Sequence, residues 1–186
     1  MTDFSTRRTM MVDTQVRPSD VTKFPIIDAM LTVAREDFVP TAQREAAYVG
    51  ENLALGEGRV LLEPRTLAKM LDVLAIDADE LVLDLGCAFG YSSAVIARMA
   101  QAVVAVEQDA DMARDAQDAL VAAGADNAVV HQGPLIDGAA LHGPYDVIGR
   151  AAQRGRTDCC YLYERAVGRS ARWIQTGRAD ELAFGV

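Results

Sequence analysis

Val82-Leu-Asp-Leu-Gly-Cys-Ala-Phe-Gly-Tyr-Ser92 is an apolar run that breaks into two glycines and then resumes at helical spacing. A buried strand, a tight turn and a helix start explain that pattern. Gly86 lets the chain turn sharply beyond the strand, and Gly90 allows close backbone approach just before the helix. The same alternation continues downstream. Residues 92–100 read as a helix, 102–106 as a second apolar strand, and 109–123 as a helix that stops at Gly124. Short runs at 128–130 and 145–148 give two more strands. Strands alternating with helices form βαβ units in a parallel sheet, so the fold class is α/β and Rossmann-like, with a mainly parallel sheet.

Upstream the pattern is helical. Residues 3–17 predict a polar helix ending near Pro18, and Pro25 starts a second helix through residue 33. Residues 41–63 read as irregular, with Gly50, Gly56 and Gly58 as turn points. Pro64 opens a further helix whose apolar face is Leu67, Met70, Leu71 and Leu74. Residues 1–77 therefore form an N-terminal helical extension, and residues 78–186 the sheet domain. That domain reads as abbreviated after residue 148, because residues 149–157 are too short and too rich in Arg and Gly for a crossover helix. Residues 158–165, 171–176 and 182–186 are strand candidates. A shortened sheet with an exposed edge strand would invite pairing with a second copy.

The net charge is −9. It divides unevenly: 11 basic against 23 acidic residues up to Ile148 give −12, and 7 Arg against 4 acids beyond it give +3. Phosphate neutralisation needs clustered cations, so nucleic acid is excluded as a general partner. No apolar window approaches the ~18 residues of a membrane span, and no signal-type core follows the first residues, which predicts a cytoplasmic protein without a membrane partner. Three cysteines (Cys87, Cys159, Cys160) and two histidines (His131, His142) show neither a disulfide framework nor zinc-ligand spacing, so no metal is predicted.

Asp84 decides the ligand. It stands at the strand end, two residues before the first glycine. Facing a dinucleotide pyrophosphate it would repel, which with the absence of G-x-G-x-x-G argues against a nicotinamide cofactor. Facing S-adenosylmethionine it can accept hydrogen bonds from the amino group and complement the cation. Glu107 ends the second strand, 17 residues after Gly90, where a carboxylate can take both ribose hydroxyls. Asp109 fits the N-cap of the next helix. Tyr91 either covers the cofactor or packs in the core; at the end of the third strand His131 or Gln132 could border the adenine, a lone His being more often structural.

Leu83-Asp-Leu-Gly-Cys-Ala-Phe-Gly-Tyr-Ser-Ser93 resembles the first motif of class I methyltransferases, and is most similar to that of the protein-L-isoaspartate (D-aspartate) O-methyltransferases. Met11-Val-Asp-Thr-Gln-Val-Arg17 and Arg35-Glu-Asp-Phe-Val-Pro40 resemble the same family, and the similarity spans roughly residues 10–148. It implies S-adenosylmethionine held by Asp84, Gly86, Gly90, Tyr91, Glu107 and Gln132. It also implies methyl transfer to a carboxylate of a protein or peptide beside Val60, Leu61, Leu62 and Glu63. Four departures stand out. Leu62 replaces a substrate-binding serine, Glu63 adds a negative charge, Ala88 stands where glycine is common, and Gln132 stands where an acid is common. They point to a changed acceptor or, alternatively, to a catalytically inactive relative that acts through cofactor or protein binding.

Overall fold

The computed structural model describes residues 3–56, 58–154, 158–167 and 170–176, with side chains up to residue 149. One sheet of six strands organises it, in the order β5-β4-β3-β6-β7-β8. The strands are β3 (Leu81–Leu85), β4 (Ala102–Glu107), β5 (Ala128–Gln132), β6 (Val147–Arg154), β7 (Asp158–Val167) and β8 (Ser170–Thr176). Strands β5, β4, β3 and β6 are mutually parallel, whereas β6, β7 and β8 pair antiparallel. The strand candidates at 158–165 and 171–176 thus lie in β7 and β8, and the candidate at 182–186 lies outside the described residues.

The helices form where their faces predict. Helix α3 (Pro64–Leu74) has Pro64 in its first turn and buries Leu67, Ala68, Met70, Leu71 and Leu74. Helix α5 (Ala110–Ala122) is capped by Asp109, whose carboxylate accepts from the Met112 amide at 2.8 Å, and it buries Met112, Ala113, Ala116 and Leu120. Helix α4 (Tyr91–Ala97) is apolar nearly all round, as a helix between sheet and neighbouring helices must be. Near the N-terminus, α1 (Phe4–Met11) passes into a π-turn (Val12–Val16) and a 3₁₀ turn (Arg17–Ser19) before α2 (Phe24–Thr32). Met11, Val12 and Val16 enter the same buried cluster as Val82, Val95 and Val103, so these N-terminal turns share the core of the sheet domain, packed on α2 and α3. No helix among the described residues is long and apolar enough to cross a membrane.

Residues 41–63 correct the expectation of irregular chain. They hold a 3₁₀ helix (Thr41–Ala46) and a short antiparallel hairpin, β1 (Leu53–Gly56) with β2 (Arg59–Leu61). Strands of four and three residues are too short to show alternation, and the glycines between them hid the pairing. A polar cluster ties this region down. Arg8 donates to Glu36 at 3.2 Å and to the Tyr48 hydroxyl at 3.1 Å, while Tyr48 donates to Glu36. Burial of Tyr48 together with its bond to the Glu36 carboxylate pushes its phenol above the usual range.

Candidate cofactor-binding site

Strands β3 and β4 run in register, Asp84 opposite Ala105 and Leu85 opposite Val106, so Glu107 lies on the neighbouring strand two residues further toward the carboxyl edge than Asp84. The turn beyond β3 needs its glycines. Gly86 has φ +81° and Gly90 φ +90°, both in the left-handed region. The Gly86 and Cys87 amides donate back to the Val106 carbonyl at 2.7 and 3.3 Å, and the Gly90 amide donates to the Cys87 carbonyl at 2.8 Å. A Cβ on Gly90 would meet Ala116 Cβ at 3.4 Å and Leu120 Cγ at 3.5 Å, which is ordinary contact. Gly90→Ala is therefore expected to cost about 1–2 kcal/mol, from backbone conformation alone. The urea midpoint measures it, and a cost above that range would show that α4 and α5 cannot accept the added methyl.

Asp84 is buried, and its Oδ2 accepts from the Ser92 hydroxyl at 2.7 Å and the Ser93 hydroxyl at 2.6 Å. Among the residues whose side chains are described, no Lys or Arg forms an ion pair with it. Burial raises its carboxyl above the ordinary value, and the two serine hydroxyls only partly offset that. A buried carboxylate without a cation is costly, and a ligand ammonium would supply the missing charge.

Glu107 has the opposite environment. It is fully buried and accepts five donors. Arg59 Nε reaches Oε2 at 2.9 Å and an Arg59 terminal nitrogen reaches Oε1 at 2.7 Å. The amides of Ala88, Gln108 and Asp109 follow at 2.9, 2.7 and 3.1 Å. Burial would raise this carboxyl, but Arg59 and the amides outweigh it and hold the pKa below the ordinary value. The carboxylate that the sequence reading offered to a ribose diol thus stands at the end of β4, where its bidentate partner is Arg59.

A cleft lies between the hairpin and the β3–α4 turn. It brings together Val60, Leu61, Leu62, Asp84, Gly86 and Tyr91 from the sequence expectations, with Phe38 and Phe89 added. Its space for water is about 40 Å³, room for about three molecules. Tyr91 is 2% exposed, edge-on to Phe38 with centroids 5.8 Å apart, and the Arg35 guanidinium lies 4.7 Å from its ring centre. It walls the cleft from the core side. Leu62 is buried, and its carbonyl accepts from Arg35. Glu63 precedes α3, its amide donating to Asn52 Oδ1 at 2.8 Å and its carboxylate accepting from Thr66. Gln132 is exposed at the end of β5, opposite Glu107, and donates to the Gln108 carbonyl at 3.3 Å. Cys87 also lines the cleft; burial, with Asp84 and Glu107 nearby, pushes its thiol well above the usual range, which removes it as a nucleophile. The sequence did not single out Ser92, Ser93, Arg59 or Arg35. The two serines that follow Gly90-Tyr91 were the one local signal for any of them.

A model of the protein-L-isoaspartate(D-aspartate) O-methyltransferases matches residues 7–156. The chain belongs to this family. Protein-L-isoaspartate O-methyltransferase 1 of Rhodopseudomonas palustris (strain HaA2) is 35% identical over 151 residues, which cover 81% of this chain and 62% of that protein. The protein-L-isoaspartate O-methyltransferase of Synechococcus sp. (strain JA-2-3B'a(2-13)) is 32% identical over 165 residues, covering 89% and 68%. Among solved structures, a protein-L-isoaspartate O-methyltransferase superposes with a TM-score of 0.72 at 16% identity, covering 94% of this chain and 63% of that one. That likeness shows the Rossmann-like methyltransferase fold. The chain spans about two thirds of the length of these relatives.

Proposed function

We propose that the chain binds S-adenosylmethionine over the ends of β3 and β4 and transfers a methyl group to a carboxylate of a protein or peptide, as the names of its relatives suggest. The observation that carries this reading is Asp84: a buried carboxylate with hydroxyl donors and no described cation, beside a second carboxylate one strand away. Those two acids fit the ammonium and the ribose diol of the cofactor. Gly86 and Gly90 supply the positive φ that the turn below them needs, Tyr91 walls the cleft, and Gln132 borders the adenine end. When bound, S-adenosylmethionine supplies an electrophilic methyl group on a sulfonium.

The chain's own part is positioning and charge. Val60, Leu61 and Leu62 would exclude water from the acceptor side, so that an entering carboxylate would lose part of its hydration there. A carboxylate is already ionised at neutral pH, so no general base is required of the cleft. In this reading residues 1–77 form the cap that carries the acceptor loop, residues 78–186 hold the cofactor, and the protein works in the cytoplasm.

The small cleft and the occupied Glu107 favour a second reading, an inactive relative that acts by binding. Calorimetric titration with S-adenosylhomocysteine and a labelled-methyl assay on isoaspartyl peptides separate the two. Micromolar binding with base-labile label on the peptide supports transfer. Binding without label supports the inactive relative, and no binding at millimolar ligand sinks the cofactor site.

A further inference from the structure

Arg59 occupies the position that the proposed function reserves for the ribose. Its guanidinium forks onto both oxygens of Glu107, and three backbone amides take the remaining lone pairs. Five donors saturate a carboxylate that offers about four acceptor sites. A diol cannot add to this set; it must replace Arg59. The three amides are fixed by the ends of β3 and β4, whereas Arg59 sits at the start of β2 on a two-stranded hairpin, directly after Gly58. Arg59 is therefore the donor that leaves.

What the released guanidinium meets follows from the rest of the loop. Val60, Leu61 and Leu62 offer no side-chain donor. The Glu63 amide is committed to Asn52 and the Thr66 hydroxyl to Glu63. Arg35 lies fully buried beneath the cleft, bound to the Ala47 and Leu62 carbonyls. An anionic acceptor entering the cleft meets Asp84 in its wall and no Lys or Arg among the described residues that line it, and so needs a cation. Resting on the methyl-transfer reading above, we propose that Arg59 binds the acceptor carboxylate. It is stored on Glu107 in the empty protein, the ribose hydroxyls take its place, and its planar fork then pairs with the carboxylate of the peptide. Acceptor binding is thereby made to follow cofactor binding, and the basic residue of the loop takes over the recognition that the Leu62 side chain cannot provide.

The test uses binding alone, so it stands apart from turnover. The full chain and its Arg59→Ala and Arg59→Lys variants are titrated with S-adenosylhomocysteine. Each S-adenosylhomocysteine-saturated protein is then titrated with an isoaspartyl peptide and with the same peptide amidated at its α-carboxyl. Far-UV circular dichroism and urea midpoints confirm that the variants fold. Freed from competition, Arg59→Ala is expected to bind S-adenosylhomocysteine about tenfold more tightly, with Arg59→Lys in between. It is expected to bind the carboxylate peptide about tenfold more weakly, and the amidated peptide as wild type does. Unchanged or weaker cofactor affinity in Arg59→Ala overturns the exchange at Glu107. Peptide affinity that ignores both Arg59 and amidation overturns the acceptor role. Arg59-dependent peptide binding without methyl transfer supports this inference while defeating the transfer reading, so the two failures are distinct.

Discussion

Asp84→Ala is expected to lower affinity for S-adenosylhomocysteine by about 100-fold or more. Two losses combine. The ligand ammonium loses a charge-assisted hydrogen bond, roughly twice as strong as a neutral one. The Ser92 and Ser93 hydroxyls, which now donate to Asp84 at 2.7 and 2.6 Å, lose their shared acceptor, a loss of about 1–3 kcal/mol of stability each that loosens the first turn of α4 and leaves the ligand a less fixed site. Asp84→Asn separates the two, because it keeps an oxygen for the serines and removes the charge. If charge dominates, Asn binds nearly as poorly as Ala; if turn geometry dominates, Asn recovers most of the affinity. The pH dependence has a definite sign. Burial raises the Asp84 pKa in the empty site, and an ammonium favours the ionised form, so affinity should fall as pH drops through the raised Asp84 pKa. Calorimetry across an acidic pH series measures this, and wild-type affinity in Asp84→Ala would remove Asp84 from the cofactor site.

The backbone part of this site was legible because it is local. Gly86 and Gly90 adopt the positive φ that the turn demands, and Asp109 caps α5 as its place before an amphipathic run predicts. Sequence also placed Asp84 and Glu107 at strand ends, since each closes an apolar run of period-independent, fully buried character. The partners of those acids were not legible. Arg59 lies 48 residues before Glu107, and nothing in hydropathy or spacing links a charge on a three-residue strand to one on another sheet. The hairpin itself left a trace, two apolar-containing runs flanking Gly56 and Gly58, but runs of four and three residues fall below the length at which alternation can be read. Arg35 escaped for the opposite reason. A cation inside Arg35-Glu-Asp-Phe-Val-Pro40 reads as surface, because Arg is rarely fully buried.

Arg35→Ala is expected to destabilise the protein by about 3–5 kcal/mol, a large share of the 5–15 kcal/mol that holds a typical domain. The Arg35 side chain has no exposure and heads the fully buried residues by size. It donates to the carbonyls of Ala47 and Leu62, joining the 3₁₀ segment after Pro40 to the stretch between β2 and α3, and its guanidinium lies against the Tyr91 ring at 4.7 Å. Truncation leaves two buried carbonyls without donors, at about 1–3 kcal/mol each, and a cavity besides. The relief of desolvation works the other way. Burial already lowers the pKa of this guanidinium, one of its terminal nitrogens has no partner, and the Tyr91 hydroxyl beside it has none either. Removing a partly unsatisfied cation therefore returns some of the loss, which holds the estimate near the lower sum of its parts. Arg35→Met decides between packing and hydrogen bonding, since it fills most of the volume and donates nothing. If the two carbonyl bonds dominate, Met should remain within about 1 kcal/mol of Ala in urea unfolding, with the slope unchanged. If Met restores wild-type stability, the guanidinium serves as filler, and the Leu62 carbonyl does not need it. Only the first outcome makes Arg35 the anchor of residues 59–62, and it then predicts a second effect: both variants should weaken S-adenosylhomocysteine binding, because the segment that carries Arg59 and walls the cleft would no longer be fixed to the core.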